Sequence, residues 1–154
     1  MIKKFFLLIS LTFFASLLHA ELKTGDAFPA FTVQDQHEVE YTLEPGVRYL
    51  LVSFSMPMGK AANKYLEQKG QEFLDGNNAV YLADIHGMPW IGRKFALPKM
   101  KKYPHRILLG DSDDLLTDYP QEDDRLTVFK FGEDLTIESI HFWDPKSGDS
   151  PFSE

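Results

Sequence analysis

The sequence predicts an α/β domain: a mixed sheet with parallel core strands and a C-terminal hairpin, with helices on the sheet faces as a three-layer sandwich. Three observations carry this. Two short apolar runs, Tyr49 to Phe54 and Ala79 to Ile85, look like strands buried on both faces. Between them, Lys60 to Asp75 shows helical periodicity, so strand, helix and strand fit a right-handed parallel crossover. Further on, Leu126 to Phe131 and Leu135 to Phe142 are β-rich runs joined by Gly132-Glu133-Asp134, a loop suited to a hairpin.

The elements follow in order. Residues 1–20 read as a secretory signal: Lys3 and Lys4 precede an apolar stretch from Phe5 to Leu18, and Ala20 offers a small residue for cleavage. The stretch falls short of the roughly 20 apolar residues that a membrane span needs. The expectation is a periplasmic or secreted protein, cleaved near Ala20, with no transmembrane segment in the mature chain; an uncleaved anchor is the alternative. Residues 21–143 form the single domain. Gly25 to Pro29 followed by Phe31-Thr32-Val33 reads as an extended opening segment, and Glu44-Pro45-Gly46 as a turn. In the predicted helix, Ala62, Tyr65, Leu66, Phe73 and Leu74 keep to one side, and Gly76 is a natural stop. Ile91 to Leu97 is a short helix ended by Pro98. Arg106 to Leu109 is a third strand, and Asp113 and Asp114 cap a short helix through Tyr119. Residues 144–154, rich in Pro, Gly and Ser, read as a flexible tail.

Composition removes several functions. Of the 154 residues none is cysteine, so disulfides, thiol chemistry and a lipid-bearing cysteine are all excluded. Removing residues 1–20 leaves 14 basic against 23 acidic residues, a net charge of −9, which argues against nucleic-acid binding. No phosphate loop, Gly-x-Gly-x-x-Gly run or Gly-x-Ser-x-Gly elbow occurs.

Three stretches resemble one family. "GDAFPAFTVQDQHEVEYTL", "YLLVSFSMPMGKAANKYL", and "YPHRILLGDSDDLLTDY" followed by "RLTVFKF" are similar to the thioredoxin-like superfamily, in particular its peroxiredoxin-like and exported thiol-reductase-like branches. The resemblance spans about Leu22 to Phe142. It implies a thioredoxin-like fold, redox cysteines between Ser53 and Asn63, a cis-proline just before Leu126, and a terminal helix. The sequence departs from that pattern. Met56-Pro57-Met58 stands at the redox turn, Asp123-Asp124-Arg125 precedes Leu126, and no terminal helix is evident. Disulfide exchange and peroxide reduction both need a thiolate, so neither activity transfers.

Two groups of residues remain as candidate sites. Met56 and Met58 end one parallel strand, while His86 and Met88 follow its neighbour, and ligands gather at such strand ends. Thioether and imidazole are soft donors that suit Cu(I) and need no thiol; the alternative is methionine as a gap-filler in the core. Trp90, beside Met88, Pro89 and Ile91, reads as core; lining a small apolar pocket is the alternative. The second group is a charge pattern. His86 to Gly110 holds Arg93, Lys94, Lys99, Lys101, Lys102 and Arg106 with no acid, and Asp111 to Asp124 then holds seven acids with no base. The basic stretch suits an acidic protein or an anionic headgroup; separate solvated faces are the alternative. EF-hand spacing is absent from the acidic run, and His86, His105 and His141 lack zinc spacing.

The favoured function is therefore an exported, non-catalytic binding or accessory module without redox cysteines. Its contact surfaces would be the Ser55 to Lys60 turn, the His86 to Arg93 loop and the basic stretch to Arg106. Its partner would be an exported or envelope protein of acidic character. A Cu(I)-handling protein using Met56, Met58, His86 and Met88 is the first rival. An enzyme with an unrecognised site is the second.

Overall fold

Alternation along the central strands sorts their side chains onto two faces. In β3 (Tyr49–Ser53), Leu50 and Val52 point one way and Leu51 the other. In β6 (Leu126–Phe131), Phe129 and Phe131 join Leu50, while Leu126 and Val128 join Leu51. Both strands are buried on both sides, which is why they read as unbroken apolar runs.

The computed structural model describes residues 20–152. The predicted secretory signal lies outside them, except for Ala20. The remaining elements are β1 (Thr32–Asp35), β2 (Glu40–Thr42), α1 (Met56–Lys69), α2 (Phe73–Gly76), β4 (Ala79–Asp84), α3 (Trp90–Met100), β5 (Leu108–Gly110) and β7 (Ile137–Trp143). One seven-stranded sheet runs in the order β2-β1-β5-β4-β3-β6-β7. β3, β4 and β5 are parallel neighbours, and the other pairings are antiparallel. The mixed sheet, its parallel centre and the C-terminal hairpin are as the sequence predicts. No described helix is long and apolar enough to cross a membrane.

The two faces close differently. Met58, Ala62, Tyr65 and Leu66 of α1 and Leu74 of α2 cover one. The other is closed by the opening segment and the turns after β5, where Phe28 meets Tyr119, Phe129 and Phe131 with ring centres 4.9–5.3 Å apart. Such tilted and edge-on aromatic contacts add to plain burial.

Several boundaries differ from the expected ones for local reasons. α1 begins at Met56 rather than Lys60, because Ser55 caps it and Pro57 occupies the first turn, where a missing N–H costs nothing. It ends at Lys69 because Gly70 turns to φ +95°, a conformation that suits glycine. Phe73 and Leu74 belong to the separate α2. α3 runs past Pro98 to Met100, with the Lys101 amide still bonded to the Leu97 carbonyl at 3.1 Å. β5 starts later than expected. Before it, the buried Gln36 side chain takes a strand's role, donating to the His105 carbonyl and accepting from the Ile107 amide, each at 2.8 Å. The expected helix from Asp113 to Tyr119 is a run of turns that sets Leu116 and Tyr119 into the core. β7 starts at Ile137, not Leu135.

The expected loose tail is anchored as far as it is described. Trp143 Nε1 donates to the Asp149 carbonyl at 3.0 Å, and His141 Nε2 lies 2.9 Å from the Pro151 carbonyl. Phe152 then packs on Tyr49 and Phe73, 4.8 and 5.2 Å between ring centres. An apolar ring at the end of a polar segment is enough to hold it down.

Candidate functional site

The parallel strands β3 and β4 end side by side, which brings the start of α1 next to the loop leading into α3. Ser55 Oγ accepts from the Met58 amide at 3.4 Å and fixes the first turn. Met56 then points outward, 45 % exposed, while Met58 is buried in the core beneath the helix. Below this turn Ser53 Oγ and Tyr81 OH lie 2.9 Å apart. Burial pushes the Tyr81 phenol well above its usual range, so this pair presents neither a base nor an activated nucleophile.

Met56 and Lys60 of α1, Met88 of the loop, and Lys99 and Met100 of α3 line a cleft of about 70 Å³. The four residues singled out as soft donors therefore divide. Met56 and Met88 share the cleft, Met58 is beneath it, and Met100 is a third thioether that sequence reasoning missed. His86 does not line the cleft. Its Nε2 pairs with Asp113, and its Nδ1 lies 3.8 Å from Asp111. Among the described residues, no three His, Asp or Glu side chains are grouped to hold a metal ion.

The basic stretch divides too. Arg93 is used inside the fold: its guanidinium grips both oxygens of Asp111 at 2.5 and 2.6 Å. It also donates to the carbonyls of Met88, Ile85 and His86 at 3.1, 2.9 and 3.2 Å. Those bonds to Arg93 hold the Asp111 carboxyl below the usual carboxylate range, and the same bonds raise Arg93. Arg106 approaches Asp35 at 3.4 Å and lies over the Tyr41 ring at 5.7 Å. Lys94, Lys99, Lys101 and Lys102 are exposed, and none forms an ion pair with a described residue.

These lysines, two on α3 and two just after it, adjoin an unexpected apolar surface. Trp90 is 73 % exposed, Phe95 72 % and Ile91 50 %, and no residue of α3 is fully buried. Trp90 is therefore not core. Sequence spacing held a signal for this. Gly92, Ala96 and Met100 recur every fourth residue and so share one side of the helix, and Trp90, Ile91 and Phe95 lie off that side. Beneath the α1–α3 region, Asn63 Oδ1, which can only accept, takes a hydrogen bond from His105 Nε2 at 2.9 Å. His105 stacks on Tyr103, and burial lowers its pKa from 6.5 to about 4.

With this geometry described, comparison with known proteins is informative about the fold alone. No family model matches the chain, and no curated protein matches it. Solved structures do. The thioredoxin domain of a thiol-disulfide oxidoreductase from Bacteroides vulgatus aligns with TM-score 0.53 and 19 % identity, over 78 % of this chain and 89 % of that one. A peroxidoxin from Mycobacterium tuberculosis aligns with TM-score 0.55 and 12 % identity, over 82 % and 91 %. The fold is thioredoxin-like. A peroxiredoxin-like protein from Aquifex aeolicus adds the same result, with TM-score 0.53 and 12 % identity over 81 % of this chain and 78 % of that one. Within this thioredoxin-like fold Met56 and Met58 stand at the turn between β3 and α1, and the chain has no cysteine. The loop before β6 has Asp124 in a left-handed conformation, and no cis peptide bond occurs among the described residues.

Proposed function

We propose that this thioredoxin-like chain is a non-catalytic docking module of the cell envelope, exported by residues 1–20, and that it binds its partner through the outer face of α3. One observation carries the reading: Trp90, Ile91 and Phe95 stand in solvent on a helix that bears Lys94 and Lys99 and is followed directly by Lys101 and Lys102, all four without an ion pair to a described residue. Clustered exposed aromatics of this kind mark interaction surfaces. The absence of thiols supports a role that needs none. The test is photo-crosslinking in the source cell from a probe at Phe95, with Val39, also exposed but on the β1–β2 turn, as control. Adducts are expected at position 95 only, and reversal of Lys99, Lys101 and Lys102 to Glu should abolish them. Equal labelling at both positions would overturn the reading.

A second reading has its own observation: Met56, Met88 and Met100 line one cleft. Three neutral thioethers suit a soft monovalent ion, and Lys60, Lys99 and Asp84 also line the cleft. This is Cu(I) handling with Met100 added and Met58 and His86 removed from the donor set. In an anaerobic competition against a chromogenic Cu(I) chelator, one equivalent should bind. Met56→Leu with Met88→Leu, nearly equal in volume, should lose it. No competition by the wild type would leave the methionines as packing.

A further inference from the structure

We infer that the surface docked by α3 is an anionic phospholipid bilayer, an inference that rests on the docking role proposed above. The outer face of α3 and the residues just after it hold Trp90, Ile91, Lys94, Phe95, Pro98, Lys99, Lys101 and Lys102, all exposed. It presents apolar groups and ammonium groups and nothing else. No hydroxyl, amide or carboxylate side chain lies on it, so it has no acceptor with which to fix a protein partner in register. A lipid surface requires no such register. Indole and phenyl rings settle at the headgroup boundary, and lysine stems lie along the apolar layer while their ammonium groups reach the phosphates.

The charge distribution selects the lipid class and the orientation. From His86 to Gly110 there is no acidic residue. Of the acids that flank it, Asp111 is bound by Arg93 and Asp113 pairs with His86, while Asp84 lines the cleft together with Lys99. The four lysines are exposed and form no ion pair with a described residue, each worth roughly fivefold in partitioning onto an anionic surface. Without residues 1–20 the chain is negative, at −9, so repulsion of the remaining surface turns α3 toward the lipid. α3 is held from its other side by Met100, which packs against the core beneath α1, and by the Arg93 bonds, so the outer face is already exposed in the fold.

The two tryptophans make the test direct, because Trp143 is buried and Trp90 is exposed. Residues 21–154, which hold every described element of the fold, would be mixed with vesicles of phosphatidylcholine alone, with vesicles containing one-third phosphatidylglycerol, and with poly-glutamate. Sedimentation and Trp90 emission are read at low and high salt. The expected result is salt-sensitive sedimentation with phosphatidylglycerol vesicles only, and a blue shift that Trp90→Phe removes. Reversing all four lysines to Glu should lower partitioning by at least roughly a hundredfold, with circular dichroism confirming that the variant is folded. A blue shift with poly-glutamate but not with vesicles would overturn the lipid and leave the docking role standing. Equal binding to neutral vesicles would overturn the charge recognition. No response to any of the three would overturn both inferences.

Discussion

Replacing Arg93 with methionine is expected to free α3 from the sheet while the rest of the fold persists. No residue of α3 is fully buried, so apolar packing holds it weakly. Arg93 instead ties three carbonyls of the preceding loop and the helix itself to Asp111 at the end of β5. Methionine keeps most of the stem's volume and removes every donor. The guanidinium is partly open to water, which discounts the ion pair, but the three carbonyls lose a charged donor. A loss of about 2–4 kcal/mol follows. Hydrogen exchange should accelerate across residues 86–102 and stay near wild-type rates in β3 and β6. Arg93→Lys should rescue only part, because an ammonium cannot span a carboxylate and the loop carbonyls together. Unchanged protection of α3 in the methionine variant would refute this role for Arg93.

The second large effect is on acid stability. Neutral His105 donates through Nε2 to Asn63, and its Nδ1 has no partner among the described residues. Protonation would place an N–H and a charge in a dry site, which is why the pKa is lowered from 6.5 to about 4. The unfolded chain therefore binds the proton first. The His105 contribution is complete above pH 6.5, falls as the pH drops, and is lost once the pH has passed below about 4. The drop amounts to roughly 3 kcal/mol. His141, also lowered by burial, adds to the same limb, so a variant is needed to isolate His105. His105→Gln keeps a donor for Asn63 and cannot titrate. Urea midpoints from pH 7 to 4 should fall much less steeply for this variant than for the wild type. Parallel curves would show that His105 does not control the acid limb.

The core was more legible in the sequence than the surface. β3, β4 and β6 announce themselves because strands buried on both faces must be continuously apolar. α1 was partly hidden because Pro57 reads as a turn, although a first helical turn tolerates proline, and because α2 keeps the burial side of α1 after Gly70. The candidate site was less legible. Arg93 and Lys94 are adjacent basic residues, and only the position of Asp111 across the sheet separates a structural clamp from a free charge. Trp90 follows Met88-Pro89, a context that suggests core, and its exposure depends on which side of α3 the sheet occupies. Met100 lies twelve residues from Met88 and meets it only because α3 runs back across the cleft.

The strand order also affects when the chain can fold. β3 sits between β4 and β6, and β6 begins at Leu126, more than seventy residues after β3 ends. β1 likewise waits for β5. A chain emerging in order from a ribosome or a narrow pore can pair β3 with β4 early, but one flank of β3 stays bare until most of the sequence is out. Closing loops of that length is slow. The polypeptide therefore stays open and threadable until its last quarter arrives.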